Sequence, residues 1–312
     1  MQALRLGVIG PGLIWDITHR DIVKSMSNSF TVTALSARSD DTREKARKQF
    51  PDATIHPDYR DLIMSDEVDA VVVLTPIPMN APVAMEVLAA GKHAIVEKPM
   101  ATSLQEATQL IEAERKSQGN VYILEQFVHK SVIPELAKLL QAGEIGRILH
   151  FEYVAHNQLR EKAEDEPASW GDTAWRQETA FPLGNIFDGG IHNLSFLQTL
   201  FGPPESVVSQ GASVRPGYGE YDTISSVFRY NRELVGLFSH SGYLPGVDNY
   251  LVIRGDRGAA RVSDHAITIQ LADGGRDERR IRYENESAAM WREIATALRE
   301  IGRASCREEC TL

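Results

Sequence analysis

Short apolar runs alternate with helix-forming segments from residue 4 to about residue 127, and that rhythm leaves few folds open. LRLGVI at 4–9, FTVTALSA at 30–37, DAVVVLTP at 69–76, HAIVEKP at 93–99 and VYILEQF at 121–127 are apolar or β-branched runs of strand length. Helical spacing fills the gaps. DITHRDIVKSM puts Ile17, Ile22 and Val23 on one side, and SDDTREKARKQF follows Ser39 or Asp40 as an N-cap. APVAMEVLAAGK closes on Gly91 as a C′ residue, and SLQEATQLIEAERKSQG opens on Ser103 and ends at Gly119. Repetition of this kind predicts βαβ units, an α/β fold built on a doubly wound parallel sheet.

The pattern changes after residue 127. One helix, VIPELAKLLQAGEIG, is followed by longer strands of alternating character: RILHFEYVAHN, ESVVSQGASVR, DTISSVFRY, LVGLFSHSGY, NYLVIRGDRGAARV and AITIQLA. Alternation predicts a mainly antiparallel sheet with one covered face. A last helix, ESAAMWREIATALRE, ends at residue 300. The expected division is therefore a doubly wound α/β domain at 1–125 and a second α/β domain at 126–299. An open sheet with an exposed apolar face also predicts self-association, as a homodimer or homotetramer.

At 312 residues the chain suits two domains, and its formal charge of −10 argues against nucleic acid or an anionic membrane as a partner. No apolar run approaches the roughly 20 residues that cross a bilayer. The chain starts directly on a strand, so a cytoplasmic location is expected. Cys306 and Cys310 both lie in the last seven residues. EIGRASCRE, residues 300–308, reads like a sequencing adapter translated in frame, which makes 300–312 an expected non-native tail after truncation near Arg299. His150, Glu152 and His156 share one face of an alternating strand, but a hydrated strand surface is the expected role, with no metal site.

Gly10 and Gly12 follow the first strand in G-x-G spacing, with Leu13 and Ile14 continuing the turn into a helix. One glycine makes the tight turn and the other lets the backbone approach a pyrophosphate at the helix N-terminus. The usual third small residue is replaced by Trp15, which either lines the entrance of the site or packs between helix and domain edge. After the second strand, Ala37-Arg38-Ser39 offers no carboxylate before Asp40. A planar cation suits a 2′-phosphate, so NADP is favoured over NAD; the alternative is Arg38 stacking on adenine with either cofactor.

Glu97-Lys98-Pro99 after a GKH turn, followed by Asp188-Gly-Gly-Ile-His192, resembles the Gfo/Idh/MocA family over residues 4 to about 299. The resemblance implies a Rossmann domain, a second domain with a large open sheet, and hydride transfer between NAD(P) and a hydroxyl carbon, often of a sugar or cyclitol. Lys98, at the carboxyl end of a parallel strand, suits stabilisation of a developing alkoxide. His192 suits proton exchange near neutrality. Asp188, four residues before it on a helix, would orient the imidazole or bind a substrate hydroxyl. Glu97 is expected as a structural or cofactor-ribose contact, and Thr75 and Pro76 as contacts to the nicotinamide ribose or the adenine side. Trp175 and Arg176 would form a substrate wall or a loop anchor, and His129 a substrate contact or a subsite filler. Two places depart from the family pattern. Ile77 and Asn80 stand where Asn and His are common, and His129-Lys130 where an aromatic residue and Arg are common.

The leading expectation is an NAD(P)-dependent dehydrogenase acting on a small polyol. A non-catalytic ligand sensor of the same fold is the alternative, favoured by Trp15 and Asn80 and opposed by the intact Lys98, Asp188 and His192. Glycoside cleavage through transient oxidation would need a Gly- and His-rich motif that is not evident in the sequence.

Overall fold

The computed structural model describes residues 3–157, 173, 176, 184, 186–215, 219–245 and 249–300. Trp175 and the tail with Cys306 and Cys310 lie outside these residues. The chain forms two compact units: one runs to Glu125 and resumes at Ser287, and the other is Gln126–Glu286.

The first unit is built on six strands: β1 (Leu4–Ile9), β2 (Phe30–Ser36), β3 (Thr54–His56), β4 (Ala70–Val73), β5 (His93–Glu97) and β6 (Val121–Leu124). All pairings are parallel, in the order β3-β2-β1-β4-β5-β6. That is the doubly wound Rossmann arrangement, with its reversal between β1 and β4. The connecting helices are α1 (Arg20–Ser25), α2 (Asp40–Gln49), α3 (Tyr59–Met64), α4 (Ile77–Ala89) and α5 (Leu104–Lys116). Ser39 caps α2 by accepting the Thr42 N–H, and Ser103 caps α5 through Glu106 N–H, each at 3.2 Å. Gly91 (φ +74°) closes α4 as expected, donating to Leu88 O at 2.9 Å while Lys92 N–H reaches Val87 O at 3.2 Å. α4 starts four residues earlier than the sequence suggests. Pro76 caps it and Pro78 sits in its first turn, where a missing N–H costs nothing.

The helix after β1 opens with a π-turn, Trp15–His19, before continuing as α1. The wider turn rotates the expected apolar face. Trp15 and His19 point into the core at 0% and 1% exposure, whereas Ile17, expected inside, is 57% exposed. Trp15 therefore packs with Leu6, Val8 and Leu35, its ring 6.0 Å from Phe50, and the entrance reading of this residue does not hold.

The second unit begins with a 3-10 turn, Gln126–His129, and α6 (Val132–Gln141). Its eight strands are β7 (Ile148–His156), β8 (Ser206–Ala212), β9 (Thr223–Arg229), β10 (Val235–Ser241), β11 (Tyr250–Gly255), β12 (Gly258–Val262), β13 (Ala266–Leu271) and β14 (Arg276–Arg280). A second π-turn, Ile186–Gly190, leads into α7 (Ile191–Phe201). The sheet order is β14-β13-β12-β11-β7-β10-β9-β8, antiparallel except where β7 meets β10. Leu136 and Leu139 of α6 and Phe196 and Leu197 of α7 cover one face, joining Phe151, Phe238 and Ile253 in one core. On the other face, Val208 pairs with Val227 and Val227 with Leu237, an exposed aliphatic row. No described helix is long and apolar enough to cross a membrane.

One domain boundary needs correction. The last helix, α8 (Glu286–Glu300), belongs with the first unit and not with residues 126–299. Met290, Trp291, Ile294, Ala295 and Leu298 form its buried face and join Leu6, Val8 and Phe30 in one core, with the Trp291 and Phe30 rings edge-on at 5.4 Å. Burial of each such side chain is worth about 1.5–3 kcal/mol, and the hydrophobic stripe does not reveal from sequence which core it meets.

Candidate functional site

Within the first unit, the carboxyl ends of β1, β2 and β4 border a cavity of about 500 Å³. Gly10 forms its floor. It has φ +74°, and a Cβ there would lie 2.6 Å from the Leu74 carbonyl oxygen, so only glycine lets the turn pass beside β4. Gly12, Arg38, Ser39, Thr75 and Pro76 complete the expected wall. Leu13, Ile14, Glu97 and Lys98 stand outside this cavity. Sequence reasoning passed over Asp58, Tyr59 and Arg60, which also line it. Their signal was faint: Asp58 caps α3, accepting from Arg60 N–H at 2.9 Å, a short polar turn that gives no hint of a ligand. Arg38 is exposed at the rim, whereas Arg60 pairs with Glu86 at 3.0 Å. A tight glycine turn at the end of β1, leading into a helix and lining the cavity, fits a nucleotide pyrophosphate.

Lys98 follows the end of β5, and its backbone is held on both sides. Asn80 of α4, 1% exposed, donates from Nδ2 to Glu97 O and to Pro99 O, each at 2.9 Å. Thr75 Oγ1 donates to Asn80 Oδ1 at 2.8 Å, which leaves the amide nitrogen as the donor toward both carbonyls. Glu97 turns back so that Oε2 accepts the Lys98 N–H. The Lys98–Pro99 peptide is cis. Asn80, one of the departures from the family pattern, thus clamps the segment that carries the lysine.

In the second unit, Asp188 lies in the π-turn before α7 and His192 in the first turn of α7. Arg176 grips Asp188 with two hydrogen bonds, Nε to Oδ2 at 2.6 Å and Nη2 to Oδ1 at 3.2 Å, and both side chains are about 10% exposed. Arg176 Nη1 also donates to Thr173 Oγ1 at 3.1 Å. Gly190, the third residue of the Asp-Gly-Gly-Ile-His motif, has no room for a side chain. A Cβ would sit 2.4 Å from Ile186 Cδ1 and 3.2 Å from His240 Cδ2. The imidazole of His192 stacks on Phe127 at 4.8 Å and 24°, and Lys130 Nζ lies 4.2 Å from the same ring while pairing with Asp264 at 2.7 Å. Beside His192, buried Asn193 accepts the Tyr153 hydroxyl at 2.6 Å. Burial, reinforced by Asp264, pushes that phenol far above its ordinary range, so it stays a donor. His129 borders a separate open groove with Ser131, Arg282 and Tyr283. On β7, Glu152 accepts the Tyr250 hydroxyl at 2.8 Å and His156 bonds Ser239 at 2.9 Å, both cross-sheet contacts.

Fold and cavity together define a Rossmann oxidoreductase that binds NAD(P). The oxidoreductase family with an NAD-binding Rossmann fold matches residues 4–125, and the GFO/IDH/MocA C-terminal domain matches residues 133–261. The chain belongs to the Gfo/Idh/MocA family. An uncharacterised oxidoreductase of Escherichia coli, YdgJ, is 29% identical over 261 residues, covering 82% of this chain and 70% of that protein. A Thermotoga maritima oxidoreductase superposes with a TM-score of 0.88 at 25% identity, covering 97% of this chain and 90% of the other. A levoglucosan dehydrogenase, solved with NADH and levoglucosan, superposes at 0.83 with 19% identity, covering 97% and 92%.

Proposed function

We propose that this protein is a dehydrogenase or reductase that transfers a hydride between NAD(P) and a hydroxyl carbon of a sugar, cyclitol or related polyol. The observation that carries this reading is the backbone clamp on Lys98, because a lysine held on both flanks by buried groups suits a fixed role better than a solvated charge. When bound, the nicotinamide supplies the hydride acceptor or donor. Gly10 and Gly12 hold the pyrophosphate, and Thr75 and Pro76 border the ribose. Lys98 donates a hydrogen bond to the reacting oxygen and offsets its developing negative charge. His192 exchanges the hydroxyl proton, its ring orientation set by the Phe127 stack. Asp188, fixed by Arg176, presents a carboxylate of set orientation near that helix start.

Exposed Arg38 at the cavity rim supports NADP as the preferred cofactor. Levoglucosan as the ligand of a protein with this fold is consistent with a carbohydrate-type substrate. The sensor reading loses the two features that favoured it, since Trp15 is a core residue and Asn80 supports the lysine segment. The exposed row Val208–Val227–Leu237 supports pairing with a second copy through the open sheet, checked by whether Val208→Asp lowers the sedimenting mass.

Fluorescence titration with NADPH and NADH, followed by an absorbance screen of sugars and cyclitols, tests the assignment. Lys98→Ala and His192→Ala should each abolish turnover while cofactor binding persists. Near-normal rates in both variants would overturn it.

A further inference from the structure

The first unit buries a polar chain that the proposed chemistry does not use. Trp291 Nε1, on α8, donates to His19 Nδ1 at 3.1 Å, the rings edge-on at 5.8 Å and 72°. An indole N–H can only donate, so Nδ1 must be bare and the proton of the neutral imidazole must sit on Nε2. An imidazolium would set one N–H against another. His19 Nε2 makes no hydrogen bond among the described residues and lies 3.6 Å from Glu97 Oε1. The other oxygen of Glu97 accepts the Lys98 N–H. Burying an N–H without an acceptor is unfavourable, and the carboxylate oxygen is the acceptor a small side-chain adjustment would reach.

We propose that His19 is a positioning residue for Lys98: Trp291 selects its Nε2–H tautomer, and that N–H steadies the Glu97 carboxylate against the Lys98 backbone. The π-turn makes this possible, because it faces His19 inward at the level of the β5 end. The inference rests on the reading of Lys98 as the group that binds the reacting oxygen. His19 itself touches no substrate in this scheme.

The test begins without substrate or cofactor. Nitrogen-15 NMR of the full-length, histidine-labelled protein reports which ring nitrogen carries the proton, with the His19 signals assigned by their loss in His19→Gln. The expected result is a single Nε2–H tautomer in the native protein. A Nδ1–H tautomer or an imidazolium would overturn the proposal whatever the enzyme turns out to reduce. A kinetic arm then separates positioning from bulk stability. His19→Gln keeps a donor near the Nε2 position and should hold kcat within about threefold, whereas His19→Asn, which keeps only an acceptor near Nδ1, should lose about tenfold or more in kcat with KM little changed. Equal kcat in the two folded variants would also overturn it. Retained activity in Lys98→Ala, by contrast, would overturn the functional reading and leave the tautomer result standing.

Discussion

Each unit carries a five-residue π-turn leading into an α-helix, and the two turns hold their groups by different means. Trp15–His19 in the first unit buries an indole and an imidazole, the imidazole accepting from Trp291, and the neighbouring lysine segment is fixed by neutral hydrogen bonds from Asn80 and by one carboxylate. Ile186–Gly190 in the second unit buries an aspartate gripped by arginine, and His192 just beyond it is held by a ring stack with a lysine ammonium on the same aromatic. Neutral clamps set the direction of a backbone. Paired charges set the direction of side chains. The first suits a residue whose own charge must stay available, and the second suits a turn built around a carboxylate that would be costly to bury alone.

Removing one partner of the buried pair should therefore have the largest effect on stability. Arg176→Ala removes two hydrogen bonds from a carboxylate at about 10% side-chain exposure and should destabilise the second unit by about 3–5 kcal/mol, read as a lower denaturant midpoint. A loss below 1 kcal/mol would break the contrast between charged and neutral support. Next in size is Asn80→Ala, which frees the carbonyls of Glu97 and Pro99. It should cost about 1–3 kcal/mol, with turnover falling while NAD(P)H affinity is kept. Asn80→Asp should be worse, since a carboxylate would face two carbonyl oxygens. The smallest change is Phe127→Leu. It keeps an apolar contact but removes the stack on His192, and should cost about 0.5–1.5 kcal/mol in a thermal or denaturant melt. An effect larger than that of Arg176→Ala would mean that packing, and not charge, holds the second turn.

The parts of the site that were legible in the sequence are those fixed by local motifs. Gly10 and Gly12, Ser39 with Arg38, Glu97-Lys98-Pro99 and Asp188 to His192 stood out because their spacing implies a turn, a cap or a helix face. Arg176 was singled out, but its pairing with Asp188 was not. Asn80 registered only as a departure. His19, Phe127, Tyr153 and Trp291 are not legible as site residues because a buried or half-buried aromatic side chain looks like ordinary core. β14 escaped for the opposite reason. RDERR has no apolar alternation to mark it, although it pairs with β13 across a short hairpin, and its Arg279–Glu144 contact joins residues 135 apart.

By itself the sequence determined the strand–helix rhythm, the parallel sheet that follows from it, the glycine turn at the end of β1 and the change to a mainly antiparallel sheet. These depend on periodicity and backbone freedom within a few residues of each other. Tertiary structure alone decided that Trp15 turns inward, that α8 returns to the first unit, and that Trp291 meets His19 across 272 residues of chain. Such contacts depend on which buried surfaces and unpaired polar groups find each other on folding, and no local pattern encodes that choice.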